Sequence, residues 1–283
     1  MPGPVNLNPA ARVDGWWRRL GALVCRPRCL ACQEAALTGA DLCGACRDAL
    51  PWNTPACPRC ALPLPASLSL ATSTTVPASG PDPSPAVHRR VSGPVWLPVP
   101  RPPLASMTAP CCGDCQRRPP PLHATHAALR YVAPVDRLLP RFKFHRDLAA
   151  GRLLAELMAA RFAPLPRPDA LLPVPLHHGR LRHRGYDQAL ELARPLAHAL
   201  ALPLLPGALR RVRATRPQSE LDAAARARNL RGAFRADESV PLPAHVVLVD
   251  DVMTTGATLY AAAGALRRAG VKRVEAWVCA RVP

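Results

Sequence analysis

Residues 245–266, HVVLVDDVMTTGATLYAAAGAL, join an apolar, β-branched run to two adjacent carboxylates, then to a Thr/Gly-rich turn, then to a run of helix formers. The order strand, turn, helix puts the turn at the carboxyl end of a parallel strand, which is where open α/β sheets bind their ligands. Unpaired N–H groups at the start of the helix, together with its dipole, favour a phosphate there. Thr254, Thr255 and Thr258 add hydroxyl donors, Gly256 permits close backbone approach, and Ala257 opens the helix. Two carboxylates would repel a bare phosphate, so the ligand is expected to carry a diol as well. Ionised Asp250 and Asp251 accept hydrogen bonds from vicinal hydroxyls, and they suit the 2- and 3-hydroxyls of a ribose whose 5-phosphate lies in the loop.

Four CxxC units form the second chemical constellation: Cys29/Cys32, Cys43/Cys46, Cys57/Cys60 and Cys112/Cys115. Each unit turns two thiolates toward one ion, and two units complete a tetrahedral four-sulfur zinc site able to hold a segment too small for its own core. Two structural zinc ions are therefore expected. Pairing first with second and third with fourth is simplest, and an interleaved arrangement stays open. Four units argue against the redox reading of a lone CxxC. Cys25 and Cys111 adjoin the units as substitute ligands, and Cys279 reads as a small core residue.

The elements that must position these residues follow from periodicity. Strands are expected at 127–132, 170–174, 246–249 and 273–280. Asp147 is placed to cap a helix carrying Leu153, Leu154, Leu157, Met158 and Phe162. Further helices are expected at 185–200, with a kink at Pro195, at 221–230, and at 257–269, closed by Gly270. Strands alternating with helices give an α/β fold, a mostly parallel sheet with flanking helices, preceded by a small zinc-ribbon module. The expected organisation is a tail at 1–24, a double zinc-ribbon module at 25–122 with a disordered Pro/Ser-rich insertion at 66–110, and the α/β domain at 123–283.

Of the 36 prolines in 283 residues, twelve fall in 61–110, which removes that stretch from any packed core. The formal net charge of +18 points to an anionic partner, and the same Arg excess is also what a GC-rich coding sequence gives. No apolar run is long enough to span a bilayer, so no integral membrane segment is expected. The first 24 residues lack the apolar core of a secretory signal, and a cytoplasmic location is expected.

On these residues the sequence resembles the type I phosphoribosyltransferases, and more narrowly the ComF family, in which such a domain follows a cysteine zinc module. RFKFHRDLAAGRLLAELM (141–158), LLPVPLHHGRLRHRGYDQALELAR (171–194) and TRPQSELDAAARARNLRGAF (215–234) are similar to further segments of that family. The resemblance implies that Asp250 and Asp251, the catalytic candidates, hold ribose, and that Thr254, Thr255, Gly256, Ala257 and Thr258 hold the 5-phosphate. It also implies that 175–185 faces the pyrophosphate of phosphoribosyl pyrophosphate bound with magnesium. Arg180 and Arg184 are the candidates for that contact, since guanidinium forks match phosphate oxygens. The stretch 207–222 is the candidate lid. The implied role is DNA uptake or utilisation in natural transformation, with single-stranded DNA and DNA-uptake proteins as partners. The alternative is an active phosphoribosyltransferase of nucleotide metabolism with an unidentified nitrogen acceptor. Pro195 and the 66–110 insertion depart from the family pattern.

Overall fold

In the computed structural model, the structure describes residues 28–36, 41–65, 110–213, 230 and 232–283. They form two compact units, one holding the described residues up to 49 and the other those from 50 onward. In the first unit, an antiparallel bridge between Arg28 and Ala35 folds back the chain around Cys29. Helix α1 (Gly44–Asp48) follows, and the Cys43 sulfur at its N-cap accepts from the Cys46 N–H at 3.4 Å.

The second unit opens with a similar turn, bridged between Ala56 and Pro63, and continues at 110 with α2 (Gly113–Arg117). Then come β1 (Thr125–Arg130), α3 (Val135–His145), α4 (Leu148–Phe162), β2 (Ala170–Pro173), α5 (His178–Arg184) and α6 (Gln188–Leu200). β3 (Leu209–Arg211) and β4 (Phe234–Ala236) pair antiparallel; β5 (His245–Met253), α7 (Ala257–Arg268) and β6 (Arg273–Arg281) complete the chain. The main sheet has the order β1-β6-β5-β2 and every pairing in it is parallel.

Burial on both faces explains why the centre of β5 is an uninterrupted apolar run: Val246, Val247, Leu248 and Val249 are all fully buried. Val246 and Leu248 share one core cluster with Val274, Ala276 and Leu266 under α7. The alternate face belongs to α4 and α6, which pack on each other. There Trp277 meets Phe162 with ring centroids 5.0 Å apart. Both edges of the sheet are covered. Along β1, Arg130 N–H donates to Pro51 O at 2.8 Å, Asn53 N–H to Ala128 O at 3.1 Å, and Thr125 N–H to Pro58 O at 3.0 Å. Along β2, Leu171 exchanges bonds with Pro203 and Leu205 at 2.8 and 2.9 Å.

Asp147 caps α4 as expected, its carboxylate accepting from Ala150 N–H at 3.0 Å. The expected 185–200 helix instead starts at Gln188 and is preceded by a separate helix, α5, because Gly185 adopts φ +84 and ends α5, after which Asp187 caps α6. α6 runs through Pro195 unbroken, and burial of Leu192, Ala193, Leu196 and Ala197 outweighs the missing hydrogen bond. β5 is longer than its apolar run: pairing with β6 continues to Met253, so the strand extends past the expected 246–249 and takes in Asp250 and Asp251. The α3 helix and the β3–β4 pair were not anticipated. The expected 221–230 helix lies outside the described residues but for Leu230, as do the insertion 66–109 and residues 214–222 of the candidate lid.

Candidate functional site

Successive residues of a strand face opposite sides of the sheet, so Asp250 and Asp251 leave β5 in different directions. Asp251 is 7% exposed and pairs with Lys143 of α3, Nζ to Oδ2 2.8 Å. Burial opposes the charge of Lys143, but the Asp251 carboxylate outweighs it and holds the ammonium above its usual range. Asp250 is pushed well above the carboxylate range by burial and then by the neighbouring Asp251 charge. Its Oδ1 accepts from the Asp251 N–H at 2.9 Å. Asp187, capping α6, is also raised by burial, with Leu176 and Leu190 N–H groups holding its two oxygens at 3.1 and 3.2 Å.

Past Met253 the chain turns through Gly256 at φ +79 into α7. A Cβ at Gly256 would lie 2.5 Å from Met253 Cε and 2.6 Å from the Tyr260 ring, so only glycine fits. No described side chain caps α7 and its first turn has no acidic residue, which leaves the positive end of the helix available to an anion. The Thr255 hydroxyl oxygen is buried and lacks a hydrogen-bond partner in the described structure. A ligand oxygen would satisfy it.

Cationic groups face this end of the sheet. Arg211 of β3 lies over the Phe234 ring, 5.3 Å from guanidinium to centroid. Its guanidinium is pushed down to about 10 by burial and by Arg180, while Asp250 opposes that shift. Arg180 and Arg184 both belong to α5. Arg184 donates to Gln188 Oε1 at 2.7 Å and sits 5.5 Å from the centroid of Phe144, whose side chain is 64% exposed. Arg180 is itself lowered by burial and then by Arg184, and guanidinium groups gathered in this way near a carboxylate suit an anion bridging them. Lys143, Asp187 and Arg211 carry much of this electrostatics and were not singled out from sequence. The first two stood in segments already matched to the family, RFKFHRD and GYDQAL; Arg211 fell outside those segments, in the candidate lid 207–222.

The cysteines gather as two sets, Cys29/Cys32/Cys43/Cys46 and Cys57/Cys60/Cys112/Cys115, with all four sulfurs of each set within 4.8 Å of one another. Cys32 and Cys43 Sγ are 3.7 Å apart, and Cys60 and Cys112 Sγ 3.6 Å. Zn–S bonds of about 2.3 Å in a tetrahedron place sulfurs about 3.8 Å apart, so both sets fit zinc. Cys57 is pushed down to about 4, chiefly by the Cys60 side chain, and Cys60 is pushed up by the same contact. Sulfurs this close cannot all ionise without a cation among them. Cys111 is outside the sets, Cys25 is outside the described residues, and Cys279 is fully buried in β6.

A parallel sheet with a carboxylate pair and a glycine turn at one strand end, joined to cysteine clusters of zinc-ribbon spacing, defines a phosphoribosyltransferase-type protein with a double zinc ribbon. The double zinc ribbon domain family matches residues 21–74, and the phosphoribosyl transferase domain family matches residues 187–283. DNA utilization protein YhgH of Salmonella typhi is 40% identical over 176 residues, which cover 60% of this chain and 77% of that protein. Competence protein F of Haemophilus influenzae is 38% identical over 178 residues, covering 60% and 78%. The chain belongs to the ComF family, to which these relatives correspond. Among solved structures, the glutamine phosphoribosylpyrophosphate amidotransferase from B. subtilis aligns with 47% of this chain and 26% of its own, at 24% identity and a TM-score of 0.33. No helix among the described residues is long and apolar enough to cross a membrane.

Proposed function

We propose that this chain binds phosphoribosyl pyrophosphate with magnesium and serves DNA utilisation, the role that the names of its relatives carry. The observation that supports this most is the strand end itself: Asp250 and Asp251 precede an uncapped helix start, a glycine turn and an unsatisfied buried Thr255 hydroxyl. In this reading Asp250 and Asp251 accept from the ribose 2- and 3-hydroxyls. Thr254, Thr255, Gly256, Ala257 and Thr258 enclose the 5-phosphate, and Arg180 and Arg184 hold the pyrophosphate. Lys143 offsets the repulsion between the carboxylates and the incoming phosphates. Magnesium, when bound with the ligand, would neutralise the pyrophosphate.

The test is calorimetric titration of phosphoribosyl pyrophosphate with magnesium into the wild type and into Asp250→Asn/Asp251→Asn. A hydrogen bond to a charged group is worth about 1.5–3 kcal/mol, so the double variant should bind at least about tenfold more weakly while unfolding cooperatively. Affinity unchanged in the double variant refutes the assignment.

A DNA-binding role has its own support in the exposed Phe144 under the Arg184 guanidinium. Single-strand bases stack on such surfaces, each worth about 1–3 kcal/mol. Phe144→Ala is expected to weaken single-stranded DNA binding at least about fivefold at fixed salt; binding that responds to salt alone reduces it to nonspecific attraction.

A further inference from the structure

The second cysteine cluster and the Gly256 turn share two side chains, one buried and one half-buried. Arg281, the last residue of β6, is 8% exposed. Its Nε donates to Cys60 O at 3.0 Å and its Nη1 to Met253 O at 3.2 Å, with a further bond to Val282 O. Val282 N–H also donates to Met253 O, at 3.0 Å. One guanidinium thus joins the carbonyl of a CxxC cysteine to the carbonyl that ends β5, three residues before Gly256. A four-thiolate zinc site carries a formal charge of about −2, and a buried guanidinium whose described acceptors are all main-chain carbonyls suits a place beside it.

Tyr260 is the second link. Its N–H donates to Gly256 O at 2.9 Å, and its ring packs so closely on Gly256 that a Cβ there would meet it at 2.6 Å. The ring also packs against the core cluster that holds Cys57, Cys60, Cys115 and Met253. Met253 Cε closes the other side of Gly256. Both residues that wall the Gly256 turn are therefore tied to Cys60 or its neighbours.

We infer that zinc in the Cys57/Cys60/Cys112/Cys115 cluster and a sugar phosphate in the Gly256 loop bind cooperatively, with Arg281 and Tyr260 as the positioning residues that connect them. The inference rests on the reading of that loop as a phosphate site. With zinc bound, the Cys60 carbonyl is fixed, and Arg281 holds Met253 against the turn. With zinc lost, the knuckle loosens, Arg281 loses one anchor, and the turn loses the wall that shapes it for phosphate.

Binding linkage is reciprocal, so the ligand must retain the metal as much as the metal favours the ligand. Zinc release from the full-length, zinc-loaded protein into excess chelator is followed with a chromogenic indicator, with and without saturating ribose 5-phosphate. Calorimetry on the same sample reports whether ribose 5-phosphate binds. The expected result is that one zinc per chain leaves about tenfold more slowly with the sugar phosphate present, and that the other is indifferent. The protection should persist in Cys29→Ser/Cys32→Ser, which removes the first cluster. It should fall below about twofold in Arg281→Met, which keeps the bulk and removes the donors, although ribose 5-phosphate still binds. A ligand that only stabilised the fold would protect Arg281→Met equally, and that result overturns the inference. Ribose 5-phosphate binding with ligand-independent release of both ions in the wild type also overturns it, and needs no variant to fold. No ribose 5-phosphate binding at all overturns the phosphate-loop reading and the inference with it.

Discussion

Replacing Lys143 with methionine removes the ammonium and keeps most of the stem. At the observed 2.8 Å, the Lys143–Asp251 pair gains about 6 kcal/mol at an effective dielectric near 20, much of it offset by desolvation of the two groups. Because the side chains are 28% and 9% exposed, water can replace the ammonium only in part. Breaking a buried pair costs about 3–5 kcal/mol, and allowing for that exposure the loss should be about 2–4 kcal/mol. In a domain of this size, this corresponds to a fall in Tm of roughly 4–16 °C. Urea unfolding of Lys143→Met, Asp251→Asn and the double variant gives the coupling directly, expected at about 1 kcal/mol or more. Lys143→Met should also weaken phosphoribosyl pyrophosphate binding, because the Asp251 carboxylate then faces the phosphates uncompensated. A stability loss below about 0.5 kcal/mol with no coupling refutes the reasoning and reduces the contact to a solvated surface pair.

Gly256→Ala forces a left-handed alanine, at about 1–2 kcal/mol, onto Met253 and Tyr260; calorimetry should show at least tenfold weaker ribose 5-phosphate binding, and unchanged affinity would show that the turn does not touch the ligand. His126 is held down at about 4 by burial, against 6.5 when free, even though Glu275 lies 3.9 Å away. The unfolded chain therefore takes up a proton that the native state refuses, so stability present above pH 6.5 is lost as pH falls toward 4, by up to about 3 kcal/mol. His126→Gln should flatten that slope in urea titrations at pH 7 and pH 5, and an unaltered slope excludes His126 as the source. Elemental analysis of protein purified without chelator should give close to two zinc ions per chain, and fewer than one in reducing buffer overturns the double-site assignment.

The sequence was most legible where one chemical pattern dominates. The run Val246 to Val249, the carboxylate pair and the TTGAT turn mark strand, strand end and helix start without reference to anything distant. The CxxC spacing similarly marks the eight ligand cysteines, since each unit carries its own geometry, while their division into two sets comes from the fold. What could not be read depends on neighbours remote in sequence. Asp250 and Asp251 remain in β5 because β6 continues to pair beside them, and acidic residues alone would argue against strand. Gly185 is as compatible with starting a helix as with ending one, and only its positive φ decides. Pro195 is tolerated because the apolar face of α6 is buried against α4 and the sheet. Lys143 and Arg211 acquire their roles only when α3 and β3 are brought to the end of β5, a juxtaposition no local spacing records.

Residues 51–58 occupy the outer ladder of β1, and the turn they lead into contributes Cys57 and Cys60 to the second cluster. Chelation that frees this segment would bare a parallel strand of buried residues with unpaired N–H and C=O groups, a template for pairing with another chain. Metal loss would then lead first to aggregation by edge-to-edge association rather than to a soluble unfolded chain, so the history of chelator exposure would decide whether a preparation stays monodisperse.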